Sequence, residues 1–233
     1  MNRMRHRCLS ALLLAGLALA YFASLLYAAS AYPSGYDWRH IVVSNLANPN
    51  DNPGAWRIAA DGMAVTGIFL ALLGPEVRRP LHSLAPKWTA WACGFFVLGG
   101  ILLTVSALIT PGHHALLGIG KAHAKIAQAA GVGFGIGMAC TLPALLRLPP
   151  RHAWVRAAGI TIVVVPMTFF LLCRIFVPII EAHAPLDQQA AIHHSLEGSL
   201  AFWEWIGSVS VYAFLILVTL GLPDSAPTAS RSS

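Results

Sequence analysis

The chain has 233 residues, 57% hydrophobic and 10% charged, with a formal net charge of +6 and a mean hydropathy of +0.66. Soluble domains carry about 25% charged residues, so this composition excludes one and indicates a polytopic membrane protein. The positive balance is no nucleic-acid footprint, because the basic residues lie singly or in short groups beside apolar runs.

The first apolar run, about 8–29, follows Arg3, Arg5 and Arg7. Arginines ahead of an apolar stretch ending near Ala28-Ala29-Ser30-Ala31 have the form of a secretory leader. However, some 20 apolar residues exceed the roughly 7–15 of a signal core, so the run is expected to stay as an anchor; cleavage would leave five spans. The longest connection, 31–56, comes next. Its Asn, Pro, Asp and Gly residues favour turns with side-chain to backbone hydrogen bonds, which predicts an ordered loop capping the helix ends.

Further runs fall at about 57–74, 88–110, 122–146, 155–180 and 197–221. The second contains Asp61, and Pro143, Pro166 and Pro178 interrupt the fourth and fifth. About 20 residues cross a ~30 Å hydrocarbon core, and backbone groups in lipid must be satisfied within the segment, so each run is a helix. The expected fold is an all-α membrane protein, a bundle of six transmembrane helices in one domain over 1–222. The Ser, Ala and Pro-rich tail 223–233 is expected to be disordered.

Ten of the fifteen basic residues fall on one side: Arg3, Arg5, Arg7, Arg78, Arg79, Lys87, Arg147, Arg151, Arg156 and Arg231. That bias places both termini in the cytoplasm. Trp38, Trp56, Trp203 and Trp205 lie towards the outer side and Trp88, Trp91 and Trp154 towards the inner, as interfacial belts. Cys8, Cys93, Cys140 and Cys173 sit in or beside spans with no C-x-x-C spacing, and read as buried apolar residues. Gly131, Gly133, Gly135 and Gly137 form two overlapping G-x-x-x-G spacings, a signature of close helix packing.

Seven of ten histidines and seven of nine acids fall on the outer side. At 1.5 Å per residue, Asp61 lies ~6 Å past Arg57, Arg174 ~9 Å short of Ile180, and Glu204 ~10 Å past Glu197. Charges at such depth are costly unless paired or hydrated, so Arg174 is expected to pair with Glu204, Asp61 or both. A purely structural ion pair is the plain alternative. A ligand pocket formed by Asp61, His123, Arg174 and Glu204 is the functional one. In the fourth run Lys121, Lys125 and Gln128 share one face and His123 lies opposite, so only one set faces the bundle centre. Lysines that snorkel outward favour His123 inward, whereas the deeper Gln128 argues the reverse.

His193 and His194, four and three residues before Glu197, make a patch with it at the head of the last run, with His40, His113, His114 and His123 as further imidazoles. Imidazole with carboxylate suits zinc or iron, although the spacing matches no specific metal motif. His40 and Ser44 lie four apart but lack a third partner for a serine hydrolase, and span interiors lack the facing histidines of a haem bundle.

Val42-Val43-Ser44-Asn45-Leu46-Ala47, the glycine-rich third run ending in Thr110-Pro111, His123 and Glu197 together resemble a bacterial multi-span family, domain of unknown function 998. More distantly the chain is similar to DRAM-type six-span proteins. The family element has an acid where Asn45 stands and glycine where Ala47 stands. The resemblance implies the architecture and no established activity.

Three functions are open to these residues. The first is binding or organising a lipid or other amphiphile at an outward-facing polar site in a bacterial inner membrane. The second is metal-dependent hydrolysis of a lipid or lipid-linked substrate, with Glu197 or Glu204 as base. Solute transport is third, because the inner halves of the spans carry few ionisable residues.

Overall fold

The computed structural model describes residues 2–109, 122–185 and 199–222, with side chains from His6 onward. The described residues form helices and connecting turns and no strand. Six helices are long and apolar enough to cross a membrane: α1 (His6–Ser30), α3 (Trp56–Leu81), α4 (Pro86–Leu108), α5 (Ala122–Leu146), α6 (Ala153–His183) and α7 (Leu200–Gly221). A four-residue helix, α2 (Val43–Leu46), lies in the connection between α1 and α3. We call the end of the bundle carrying that connection the loop end, and the opposite one the far end.

The second span runs on to Leu81, beyond the expected 74. Proline is tolerated inside a helix only where its missing N–H and its ring are accommodated, and α3 accommodates Pro75 and Pro80. The extra turns bury Glu76, Val77, Pro80 and Leu81 against the bundle, which supplies the reason to continue. Conversely, α5 is interrupted after Ala139 and resumes at Leu142, with Thr141 Oγ1 donating to the Met138 carbonyl at 2.6 Å.

α3, α4 and α5 pack side by side in chain order, α1 lies against α3 and α7, and α6 packs mainly on α7. Apolar burial divides into two cores. One, around Leu73, Val77, Phe96, Leu145, Phe214 and Val218, fills the bundle. The other joins the loop to the helix ends through Leu25, Ala28, Val43, Leu46, Ala59 and Met63. The close α3–α4 approach rests on Gly67 and Gly100, and Thr104 Oγ1 crosses it to donate to the Ala64 carbonyl at 3.1 Å.

Of the two G-x-x-x-G pairs in α5, only Gly133 and Gly137 face α4, while Gly131 looks outward and half-buried Gly135 lies beside Met167 of α6. α6 is peripheral: 6% of its apolar stretch is buried against 56% for α3. A narrow stripe through Gly159, Val163 and Cys173 is buried against the bundle, Ile160, Ile162, Met167 and Phe170 flank it half-buried, and the outer face is exposed.

The tryptophans of the far end, Trp88, Trp91 and Trp154, are exposed as an interfacial belt requires. The loop-end belt is only partly realised. Trp203 is buried, with its ring against Phe169, Phe170 and Phe202, and Trp205 is drawn inward to donate to the Tyr36 hydroxyl at 3.0 Å. Among the cysteines only Cys173 is buried; Cys8 is exposed, Cys93 and Cys140 are intermediate, and none of the four joins a disulfide.

Candidate functional site

Residues 31–55 form the expected ordered cap. Successive backbone bonds from Gly35 N–H to the Tyr32 carbonyl, Ile41 to Asp37 and Asn52 to Asn48 close its turns. Fully buried Asn52 pins it to the bundle, its Nδ2 donating to the Ala28 carbonyl at 2.9 Å and the Leu46 carbonyl at 3.2 Å. At its exposed rim Asp37 takes hydrogen bonds from the His40 ring and the Arg39 backbone N–H, which hold its carboxyl at about 2.

Glu204 lies where this cap meets α7. The backbone N–H of Val43, first residue of α2, donates to Glu204 Oε2 at 2.7 Å. Helix N-termini leave N–H groups unsatisfied, and Val42 at the cap position offers no side-chain acceptor, so Glu204 supplies one from another helix. Ser199 Oγ donates to the Arg39 carbonyl and Trp38 lies against Phe202, so the first turns of α7 grip the loop at several points.

On the other flank, α1 takes a π-helical turn over Leu19–Ala23. Such a turn inserts a residue and redirects side chains; here it contains Tyr21, whose hydroxyl lies 2.6 Å from Ser208 Oγ. Ser208 in turn donates to the Glu204 carbonyl at 2.7 Å. Burial pushes the Tyr36 phenol up to about 12; the Trp205 N–H opposes that shift and the Glu204 carboxyl adds to it.

This cluster makes Glu204 a clasp. Replacing Glu204 by alanine is expected to raise hydrogen exchange at the Val43 amide about tenfold, as a lost bond to a carboxyl of roughly 1.5 kcal/mol implies. Glu204→Gln, which keeps an acceptor oxygen, should change it little. An unaltered rate in the alanine variant would remove the clasp.

His123 faces inward and is buried, while Lys125 and Gln128 are exposed, which resolves the two-faced fourth span in favour of the snorkelling lysine. Its Nδ1 lies 2.7 Å from the Ser106 carbonyl oxygen on α4. A carbonyl only accepts, so Nδ1 carries a proton in this contact. Nε2 is buried and finds no hydrogen-bond partner among the described residues.

The four-residue pocket is not what the chain builds. Asp61 is exposed because the inward stripe of α3, through Ala59, Ala60, Met63 and Ala64, is centred about a third of a turn away. Arg174 is exposed because Cys173, one residue earlier, occupies the inward stripe of α6. Among the described residues Arg174 forms an ion pair with neither Glu204 nor Asp61; the pairs there join Asp37 to Arg39 and His40, and Glu76 to Arg79. Of the four, only His123 is buried, Glu204 is partly so, and they serve different partners.

His113, His114, Lys121, His193, His194 and Glu197 lie outside the described residues. Among the described ones no three His, Cys, Asp or Glu side chains gather to hold a metal ion. Buried His123 has one ring nitrogen against a carbonyl and, among the described residues, no partner at the other, which is the form of a metal ligand.

A buried charge that sequence reasoning passed over lies at the far end. Glu76 is 6% exposed, and its Oε2 accepts from Ser10 Oγ of α1 at 3.0 Å and from Arg79 Nη1 at 2.5 Å. The signal was the i, i+3 acid and base spacing, hidden by ending the span before Pro75. Comparison of the chain with protein-family models, curated proteins and solved structures finds no match.

Proposed function

We propose that this protein binds and organises membrane phospholipid at the loop end of its bundle, with Arg174 receiving the lipid phosphate. The observation that carries the reading is an exposed guanidinium, unpaired among the described residues, on the outer face of α6. Around it Leu171, Leu172, Ile175, Phe176, Ile179 and Ile180 are all exposed. A cation on a lipid-facing surface costs about 2.5–3.5 kcal/mol at the helix centre and less towards the boundary, unless an anion or water reaches it.

Its depth favours the anion. The 31 residues of α6 span roughly 46 Å, more than the ~30 Å hydrocarbon core. With Trp154 and Arg156 at one interface, about twenty further residues reach Phe176. Arg174 then lies ~3 Å inside the other boundary, within side-chain reach of the phosphate layer. Lys125, exposed near the start of α5, adds a second cation at the same end.

In this reading the loop end faces away from the cytoplasm, since Arg78, Arg79, Lys87, Arg147, Arg151 and Arg156 mark the far end. The membrane is then a bacterial inner membrane with both termini cytoplasmic. The resemblance to domain of unknown function 998 is part of the same proposal. It leans on 42–47, which forms the clasped α2, and on buried His123.

Native mass spectrometry of the protein released from detergent tests it. We expect one or more bound phospholipids in the parent chain and at least a fivefold drop in occupancy for Arg174→Gln. Unchanged occupancy would overturn the reading. A second reading, metal-dependent hydrolysis of a lipid, draws on the bare Nε2 of His123. It requires stoichiometric zinc or iron in the purified protein that His123→Ala removes, and metal-free protein would end it.

A further inference from the structure

Pro178 lies inside α6, four residues after Arg174. In an α-helix the N–H of residue i donates to the carbonyl of residue i−4, and proline has no N–H. The Arg174 carbonyl therefore loses its helical donor, and the pyrrolidine ring pushes it away from the axis. Residues 174 and 178 are both exposed, so this acceptor opens on the face that carries the guanidinium. One turn of an otherwise apolar surface thus offers a cation and a carbonyl oxygen that lacks its usual helical donor.

A carbonyl near the hydrocarbon boundary needs a donor, because unsatisfied backbone groups are costly in lipid. A phosphate supplies only acceptors. The ligand that answers both groups is a phospholipid whose phosphate bears a hydrogen-bond donor, such as a primary ammonium or a hydroxyl, on its headgroup alcohol. Choline carries the same phosphate and net charge as ethanolamine but has no N–H to give.

We propose that the Arg174–Pro178 turn selects phospholipids with a donor in the headgroup over choline lipids. The selection rests on the lipid-binding reading above. Arg174 holds the phosphate, and the carbonyl freed by Pro178 discriminates among the headgroup alcohols esterified to it. Geometry also sets the order: the guanidinium extends on a long flexible stem, while the carbonyl is fixed to the helix. The headgroup must therefore fold back towards the protein surface, which a flexible ethanolamine or glycerol allows.

The full chain in nanodiscs of matched acyl composition tests this, reading bound lipid by native mass spectrometry. The probes are dioleoyl phosphatidylethanolamine, phosphatidylglycerol and phosphatidylcholine. The parent chain should retain the ethanolamine lipid about fivefold more than the choline lipid, the scale of one hydrogen bond. Phosphatidylglycerol should bind at least as well as the ethanolamine lipid. Pro178→Ala restores the missing N–H, and should bring the ethanolamine-to-choline ratio close to one while lipid is still held. Arg174→Gln should lower binding of all three.

A parent ratio near one, or a ratio that Pro178→Ala leaves unchanged, overturns the headgroup selection while a loss in Arg174→Gln keeps the binding site. Undiminished lipid in Arg174→Gln overturns both. Inorganic phosphate added at millimolar concentration should fail to displace the ethanolamine lipid; displacement would mean that the site recognises phosphate alone and would overturn the selection.

Discussion

Arg79→Ala is expected to destabilise the bundle by about 3 kcal/mol, because it strips a buried carboxylate of its cation. Glu76 is almost fully enclosed between α1 and α3, and Arg79 supplies its charged partner while Ser10 supplies a neutral donor. Arg79 is itself about a third exposed, so the attraction between the two is partly screened by water. The larger part of the loss is the desolvated Glu76 left behind.

That asymmetry gives the test its discrimination. Glu76→Gln leaves Arg79 near water and keeps an acceptor for Ser10, so it should cost clearly less. Replacing both charges by leucine should also cost less than Arg79→Ala alone, since apolar pairs often replace buried ion pairs without loss. Reversible unfolding in mixed detergent, read for the three variants, checks the order. Equal stability of Arg79→Ala and the parent would show that Glu76 does not depend on its arginine.

The six spans and the ordered loop were legible because they depend on local quantities, apolar length and turn composition. Which polar residues meet was not legible, because facing depends on one residue of helical phase. Cys173 takes the inward stripe and puts Arg174 outside; Ala59, Ala60 and Met63 do the same to Asp61. Matched depth along three helices carries no information about direction around them. The Glu204 clasp is harder still to read, since its partner is the backbone N–H of Val43, 161 residues away. Backbone groups leave no trace in side-chain patterns. His123 was legible only as one of two opposed faces, since lysine reaching outward and the deeper Gln128 pointed opposite ways; the fold buries His123 and leaves Lys125 and Gln128 exposed.

The close α3–α4 contact was equally hidden, and it yields the second large effect. Gly100→Ala should destabilise the bundle by about 3 kcal/mol or more, through overpacking against backbone and loss of an interhelical bond. A Cβ on Gly100 would run into the Gly67 carbonyl oxygen and sit 2.7 Å from the Ala71 nitrogen; one on Gly67 would sit 2.5 Å from the Gly100 carbonyl oxygen. Backbone atoms cannot swing aside as a side chain does, so α3 and α4 must separate. The Thr104 to Ala64 hydrogen bond across the same contact then lengthens or breaks. Gly133, in the glycine spacing that the sequence advertises, meets only ordinary contacts from 3.5 Å, and Gly131 meets nothing within 4 Å. Alanine at those two positions should be tolerated, with Gly131→Ala neutral or slightly stabilising through helix propensity. The expected order of thermal stability in detergent is therefore Gly131→Ala, Gly133→Ala, then Gly67→Ala and Gly100→Ala far below. If the α5 variants fell as far as the α3–α4 pair, the close approach would have to be assigned to the repeated motif instead. The difference arises because a G-x-x-x-G spacing creates room only where a neighbouring helix enters it, and here α3 and α4 meet most closely where Gly67 faces Gly100, with Gly74 of α3 against the Cys93 carbonyl further along.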